Sequence, residues 1–193
     1  MEFKDLKKYH FILASKSPRR QFLLKDLGLN FEVHTKDVDE SFADHLKAEE
    51  IPLYLCEKKA MAFDAELHDN TIVITADTVV WINGQVLNKP ENFDDAVRML
   101  QLLSGNMHEV FTGVCIRSKH KTKTFYSRTA VYFKHLSQSE IEYYINNYNP
   151  YDKAGAYGAQ EWIGYIAVER IDGSYFNVMG LPLKELYEEL LAF

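Results

Sequence analysis

Apolar residues enter this chain in two rhythms, short unbroken runs and helical spacings of three and four, and they alternate from one end to the other. Phe11-Ile12-Leu13-Ala14 reads as a short buried strand. After the polar break Ser15-Lys16-Ser17, Phe22, Leu23, Leu24 and Leu27 return at helical spacing, with Pro18 suited to the first helical position and Gly28 to the stop. Phe31 to Thr35 alternates like a strand, and a helix is predicted from Pro52, as its first residue, to about Leu67. Thr71 to Ile82 is the strongest strand pattern; Asn83-Gly84 makes a hairpin turn and Gln85-Val86-Leu87 returns. Asn92 caps a helix running through Leu103, closed by Gly105. His108–Ser118 and Lys123–Phe133 read as two strands, and Ser137 with Glu140 forms a capping box for a helix to about Asn147. Ile163 to Ile171 reads as a strand, turned by Asp172-Gly173 and answered by Ser174–Val178. Pro182 then starts a terminal amphipathic helix.

Strands and helices so mixed, with hairpins among them, predict an α/β fold whose sheet is not purely parallel. No repeat, low-complexity tract or linker interrupts the pattern, so residues 1–193 are expected to form one continuous domain. That length supports a real core. The net charge of −6 argues against binding a nucleic-acid polymer, which needs a basic footprint. A local cluster of Lys16, Arg19, Arg20 and Lys25 suits a small anion instead. Cys56 and Cys115 lack any metal-ligand spacing and are expected to be small buried hydrophobes. No run reaches membrane-spanning length and no signal peptide opens the chain, which predicts a cytoplasmic protein with no membrane partner. A homodimer is compatible with all of this.

Candidate chemistry gathers at a few exceptions to the pattern. A strand, the tight polar loop Ser15-Lys16-Ser17 and a helix start bearing Arg19 and Arg20 make an anion site of backbone N–H groups and guanidinium forks. Pattern alone leaves that reading and a merely structural helix start both open. A phosphorylation target in a loose tail is excluded, because apolar residues flank the loop on both sides. Asp77 stands in the middle of the β-branched run, where a carboxylate has poor strand propensity and cannot be buried uncompensated. It must face a cleft, pair with a cation or sit at a bulge. Lys59, at the edge of a helical apolar face, and Lys89, after the hairpin, are ordinary surface lysines on pattern alone, as Glu40 is an ordinary loop acid. The segment Asp152 to Gln160 has small-residue breaks that let backbone approach a ligand. The histidines, His108 included, have no partner at metal-ligand spacing and are expected to be structural or exposed.

Ser-Lys-Ser-Pro-Arg-Arg, Lys59-Ala60, Ala76-Asp77-Thr78, Leu87-Asn88-Lys89-Pro90 and Asp152-Lys153-Ala154-Gly155-Ala156-Tyr157-Gly158 together resemble the Maf family of nucleoside triphosphate pyrophosphatases, also called septum formation inhibitors. The resemblance extends from about Ile12 to Pro182. It implies an elongated mixed sheet flanked by helices, two lobes around a cleft, of the inosine triphosphatase kind. It implies that Glu40 and Asp77 hold a divalent cation, Mg²⁺ or Mn²⁺, that Asp77 is catalytic, and that Ser15, Ser17, Arg20, Lys59 and Lys89 bind substrate phosphates. Attack at the α-phosphorus, giving monophosphate and pyrophosphate, is likewise implied by the family alone. Arg19, Thr78 and Gln160 match the branch acting on dTTP and UTP. Gln160 has a physical rationale, since its amide offers a donor and an acceptor to the O4 and N3–H edge of uracil or thymine. One amide can flip to suit cytosine, so a second group, Arg19 or a backbone N–H of the loop, is expected to fix it. The chain departs from the family at Gln160-Glu161-Trp162-Ile163, where a glycine commonly follows the glutamine, and this bears on the backbone path beside the base. Other readings are the same chemistry on another or modified nucleotide, and a nucleotide sensor governing septum formation.

Overall fold

In the computed structural model, which describes residues 3–193, seven strands among the described residues form one mixed sheet. They are β1 (His10–Leu13), β2 (Phe31–Val33), β3 (Thr71–Ile82), β4 (Gln85–Leu87), β5 (Met107–Arg117), β6 (Thr122–Phe133) and β7 (Val168–Asp172). Their order is β2-β1-β3-β5-β6-β7, with β4 also paired to β3. β1 runs parallel to β2 and β3, while β3, β5, β6 and β7 pair antiparallel in succession. The helices are α1 (Pro18–Asp26), α2 (Glu50–Met61), α3 (Phe93–Leu103), α4 (Gln138–Tyr148), α5 (Trp162–Ala167), α6 (Tyr175–Met179) and α7 (Leu183–Ala192).

β3 is covered on both faces, which is why its apolar run is continuous rather than alternating. Val73 packs on Phe63, and Val79 on Ile51 and Leu55 of α2, so its odd-numbered positions face α2. On the other face Ile72 and Ile74 pack with Leu23 and Leu24 of α1 and with Leu186 and Leu190 of α7. Val80 and Ile82, farther along that face, join Leu100 of α3 and Ile141 and Ile145 of α4 in a second core. Two cores thus share one long strand, one near each of its ends.

Between them the sheet has a gap. β1 pairs with Thr71–Ile74 and β4 with Val80–Ile82, so along that edge residues 75–79 have no strand partner among the described residues. Their other edge is held by β5, where Asp77 lies opposite Gly113. A crevice beyond the carboxyl end of a parallel strand is where α/β sheets commonly receive ligands.

Several sequence expectations change. The helix expected from Pro52 to Leu67 is α2, Glu50–Met61, followed by a short 3-10 turn at Asp64–Glu66. Pro52 is its third residue, still in the first turn where a missing N–H costs nothing. The strand expected at Ile163–Ile171 is half helix. Ile163 and Ala167, four apart, are both buried, Tyr165 points outward, and Gly164 and Tyr165 N–H both bond to Glu161 C=O, so the stretch follows the helical period until β7 begins. The expected return strand Ser174–Val178 is α6: the Ser174 side chain caps the Asn177 N–H, and the buried Asn177 amide donates to Val110 C=O and Thr129 Oγ1. Asp172-Gly173 therefore turns β7 into a helix and makes no hairpin. His108 is buried, its Nε2 2.8 Å from the Tyr157 hydroxyl.

Candidate active site

A cleft of about 640 Å³ opens at the gap beside β3. Its lining takes in every site residue named from the sequence: Ser15, Ser17, Arg19, Arg20, Glu40, Lys59, Asp77, Thr78, Lys89 and Gln160. Seven lysines or arginines face it against four aspartates or glutamates, on a chain whose net charge is −6. The field inside is thus opposite in sign to that of the whole, suited to a polyanion.

Asp77 projects from the α2 face of β3 and is nine-tenths buried. Its Oδ1 lies 2.5 Å from the Lys59 ammonium, which also lies 3.1 Å from Glu40 Oε1. Lys59 is held at that distance because α2 lies directly on the sheet. A Cβ on Gly113 would come within 2.5 Å of the Pro52 backbone, so the strand partner of Asp77 has to be glycine for α2 to sit there. Glu40 comes from a loop without regular structure, staked by Lys58 to Asp39 and to Ser41 C=O. Burial works to raise the Glu40 pKa, but Lys59, and then Lys89 and Arg20, outweigh it, and the carboxyl ends below its ordinary range.

Glu40 and Asp77 are oxygen donors that share a single cation, Lys59, and such a pair fits a hard divalent metal. Among the described residues no group of three or more His, Cys, Asp or Glu could cage a metal. Mg²⁺ is commonly held by one or two carboxylates with the remaining positions left to water and phosphate oxygens, and this donor set matches that habit.

The anion loop folds on itself. Ser17 caps α1, with Pro18 first in the helix as expected, and the Ser15 hydroxyl accepts the Ser17 N–H at 3.2 Å. Arg20 is not aimed freely at the cleft. Its Nε donates to Gly180 C=O at 2.8 Å, Nη1 to Ala76 C=O at 2.8 Å and Nη2 to Thr78 Oγ1 at 2.9 Å. The guanidinium therefore grips β3 on both sides of Asp77 and uses the unpaired strand edge as an acceptor. Burial lowers its pKa against the pull of Asp77. The Thr78 hydroxyl also meets Thr112, which donates to Asn177 C=O, so a polar chain crosses beneath the site. Arg19 donates to Asp152 Oδ2 at 2.9 Å, linking α1 to the loop that carries Gln160.

Gln160 stays in the cleft despite the departure that follows it. Its Oε1 is buried with no hydrogen-bond partner among the described residues. Lys153, Tyr144 and Glu161, which line or support this wall, were not singled out from the sequence. Lys153 was visible within its motif, but nothing local shows that its partner is Glu161.

The Maf family profile, described as Maf-like protein, matches residues 10–193. The chain is 54% identical over 187 residues to the dTTP/UTP pyrophosphatase of Phocaeicola vulgatus, covering 96% of this chain and 97% of that one. It is 51% identical to the dTTP/UTP pyrophosphatase of Parabacteroides distasonis, covering 98% of both, and 52% identical to that of Flavobacterium johnsoniae, covering 96% and 95%. Among solved structures, the Staphylococcus aureus Ham1 protein shares the fold with a TM-score of 0.51 at 16% identity, covering 93% of this chain and 99% of that chain. With its signature residues gathered in one cleft and its relatives matched nearly end to end, the chain belongs to the Maf family.

Proposed function

We propose that the protein is a nucleoside triphosphate pyrophosphatase that converts dTTP and UTP to the monophosphate and pyrophosphate. The substrate class rests on full-length relatives of that name at half identity or more. The observation that carries the chemistry is the Asp77–Lys59–Glu40 cluster at the unpaired edge of β3.

In this reading the triphosphate lies along the cleft, with Ser15, Ser17, the α1 start, Lys59 and Lys89 around its phosphates. Arg20 adds its charge from below while holding Ala76 and Thr78 in place. Asp77 accepts a proton from a water lined up on the α-phosphorus. The new bond joins the water oxygen to that phosphorus, and the bond to the α–β bridging oxygen breaks, so pyrophosphate leaves with the electron pair. A divalent cation held by Glu40 and Asp77 would supply charge stabilisation for the phosphate oxygens. Lys59, bridging both acids, offsets the repulsion between their carboxylates until then. Arg19, Thr78 and Gln160 form the base side, where the unpartnered Gln160 oxygen suits the N3–H donor of uracil or thymine. The chain is read as one domain acting on free nucleotides in the cytoplasm.

The test is direct. Purified protein with Mg²⁺ or Mn²⁺ should release pyrophosphate and UMP from UTP, and exhaustive chelation should stop it. Release of orthophosphate and UDP instead would overturn the α-attack assignment.

A further inference from the structure

The segment from Asp152 to Glu161 is closed on itself by an ion pair that none of the roles above uses. The Lys153 ammonium is buried, 2.7 Å from Asp152 Oδ1 and 3.1 Å from Glu161 Oε1. The second Glu161 oxygen accepts from the Tyr144 hydroxyl, which in turn accepts the Gly158 N–H at 3.0 Å. Burial and the Glu161 contact push the Tyr144 phenol up, so it remains a donor. At the other end Asp152 Oδ2 accepts from Arg19. One chain of bonds, most of them charge-assisted, therefore runs from α1 through Asp152, Lys153, Glu161 and Tyr144 to the Gly158 amide.

Gln160 is bonded covalently to the centre of that chain and packs against it. A Cβ on Gly158 would lie 2.8 Å from Gln160 Nε2 and 2.9 Å from Glu161 Cδ, so both side chains lie close against Gly158. The Tyr165 hydroxyl pins the Gln160 carbonyl at 2.7 Å. The Gln160 side-chain oxygen, by contrast, is buried with no hydrogen-bond partner among the described residues. An unmade buried hydrogen bond is unfavourable, and a free glutamine would turn to relieve it. Something has to hold the amide in that costly pose.

We infer that Glu161 is a positioning residue for base recognition: by tying Lys153 at the loop's start to Tyr144 and Gly158 near its end, it holds Gln160 with its acceptor turned to the base. The inference rests on the nucleotide reading proposed above. It also lets Arg19 influence the base without touching it, through Asp152 and Lys153.

Glu161→Gln keeps the size and an acceptor for Tyr144 but removes the charge opposite Lys153. The ratio of kcat/KM for UTP over CTP should fall about tenfold, through KM for UTP, while kcat for UTP moves by less than about threefold. Gln160→Ala should lower the same ratio, and in that background Glu161→Gln should add less than about a twofold change, because no amide is left to position. Tyr144→Phe, which frees the Gly158 N–H and one Glu161 oxygen, should narrow the ratio too, and serves if Glu161→Gln fails to fold. Calorimetric Kd values for α,β-imido-UTP and α,β-imido-CTP read the preference without turnover. A lowered Tm with the ratio unmoved would reduce Glu161 to a fold support and overturn the inference. An equal change of ratio with and without Gln160 would overturn it as well, as would a wild-type protein that binds both analogues equally. Absence of pyrophosphate release with the analogue preference intact would instead overturn only the reaction.

Discussion

The Asp77 carboxylate is the residue on which the chemistry turns, and its surroundings separate two kinds of cation. Lys59 touches it directly at 2.5 Å, whereas Arg20 bonds its neighbours Ala76 and Thr78. Asp77→Asn keeps the shape and removes the base, so kcat should fall by about 10²–10⁴-fold while unfolding stays cooperative. A kcat within a few-fold of wild type would pass the base role to Glu40. Arg20→Ala takes the donor from the Gly180 and Ala76 carbonyls and from the Thr78 hydroxyl, which keeps Thr112, and each carbonyl left unsatisfied costs about 1–3 kcal/mol. Urea unfolding should show a large loss of stability, and rates with dTTP, UTP and CTP should drop by a common factor. A loss confined to one base would contradict this role. The motif made both arginines visible in sequence, but not that one faces inward to carbonyls and the other outward to Asp152.

At the scale of elements, the site depends on how closely α2 approaches the sheet. Thr75 Oγ1 donates to Cys56 C=O at 2.6 Å, and Gly113, opposite Asp77, leaves room for Pro52, so the helix is seated at two points close to Asp77. Gly113→Ala must push α2 outward against this contact. Overpacking of this kind costs about 1–3 kcal/mol, and because α2 carries Lys59 the turnover should fall with it. Unchanged stability and rate, measured by urea midpoint and pyrophosphate release, would show that α2 gives way freely. The capped helices α1, α3 and α4 were legible because their signals are local: Ser17, Asn92 and Ser137 each bond a backbone N–H three residues on. α5 and α6 were not, since their β-branched and aromatic residues imitate strands until the buried Ile163, Ala167 and Asn177 choose the helical period.

At the scale of the whole molecule, the buried His108 on the same sheet is a source of acid sensitivity. His108 is 1% exposed, and burial lowers its pKa to about 3 from an ordinary 6.5. Below pH 6.5 the unfolded chain binds a proton that the folded chain refuses, so stability is full above 6.5 and falls as the pH drops towards 3. The slope contributed is at most about 1.4 kcal/mol per pH unit. Between pH 7 and 5 the urea midpoint should fall more in wild type than in His108→Gln. Equal falls would place the acid sensitivity elsewhere. The loss belongs to the lobe packed around α3 and α4, because Tyr157, which meets His108, sits in that core.

The sequence by itself determined the mixed α/β class, most strands, the capped helices and the kinds of residue the chemistry needs. These are written in local terms: periods of two and 3.6, caps three residues apart, a carboxylate misplaced in a β-branched run. The family signature added which of them belong together. Tertiary structure alone decided their partners. Arg20 finds its acceptor at Gly180, 160 residues away, and Arg19 finds Asp152, 133 residues away. Lys59 joins Glu40 to Asp77, and Glu161 answers Lys153 across a folded loop. Such pairings depend on where the sheet leaves its edge open and how near a helix can lie, and neither distance is encoded in any short stretch of chain.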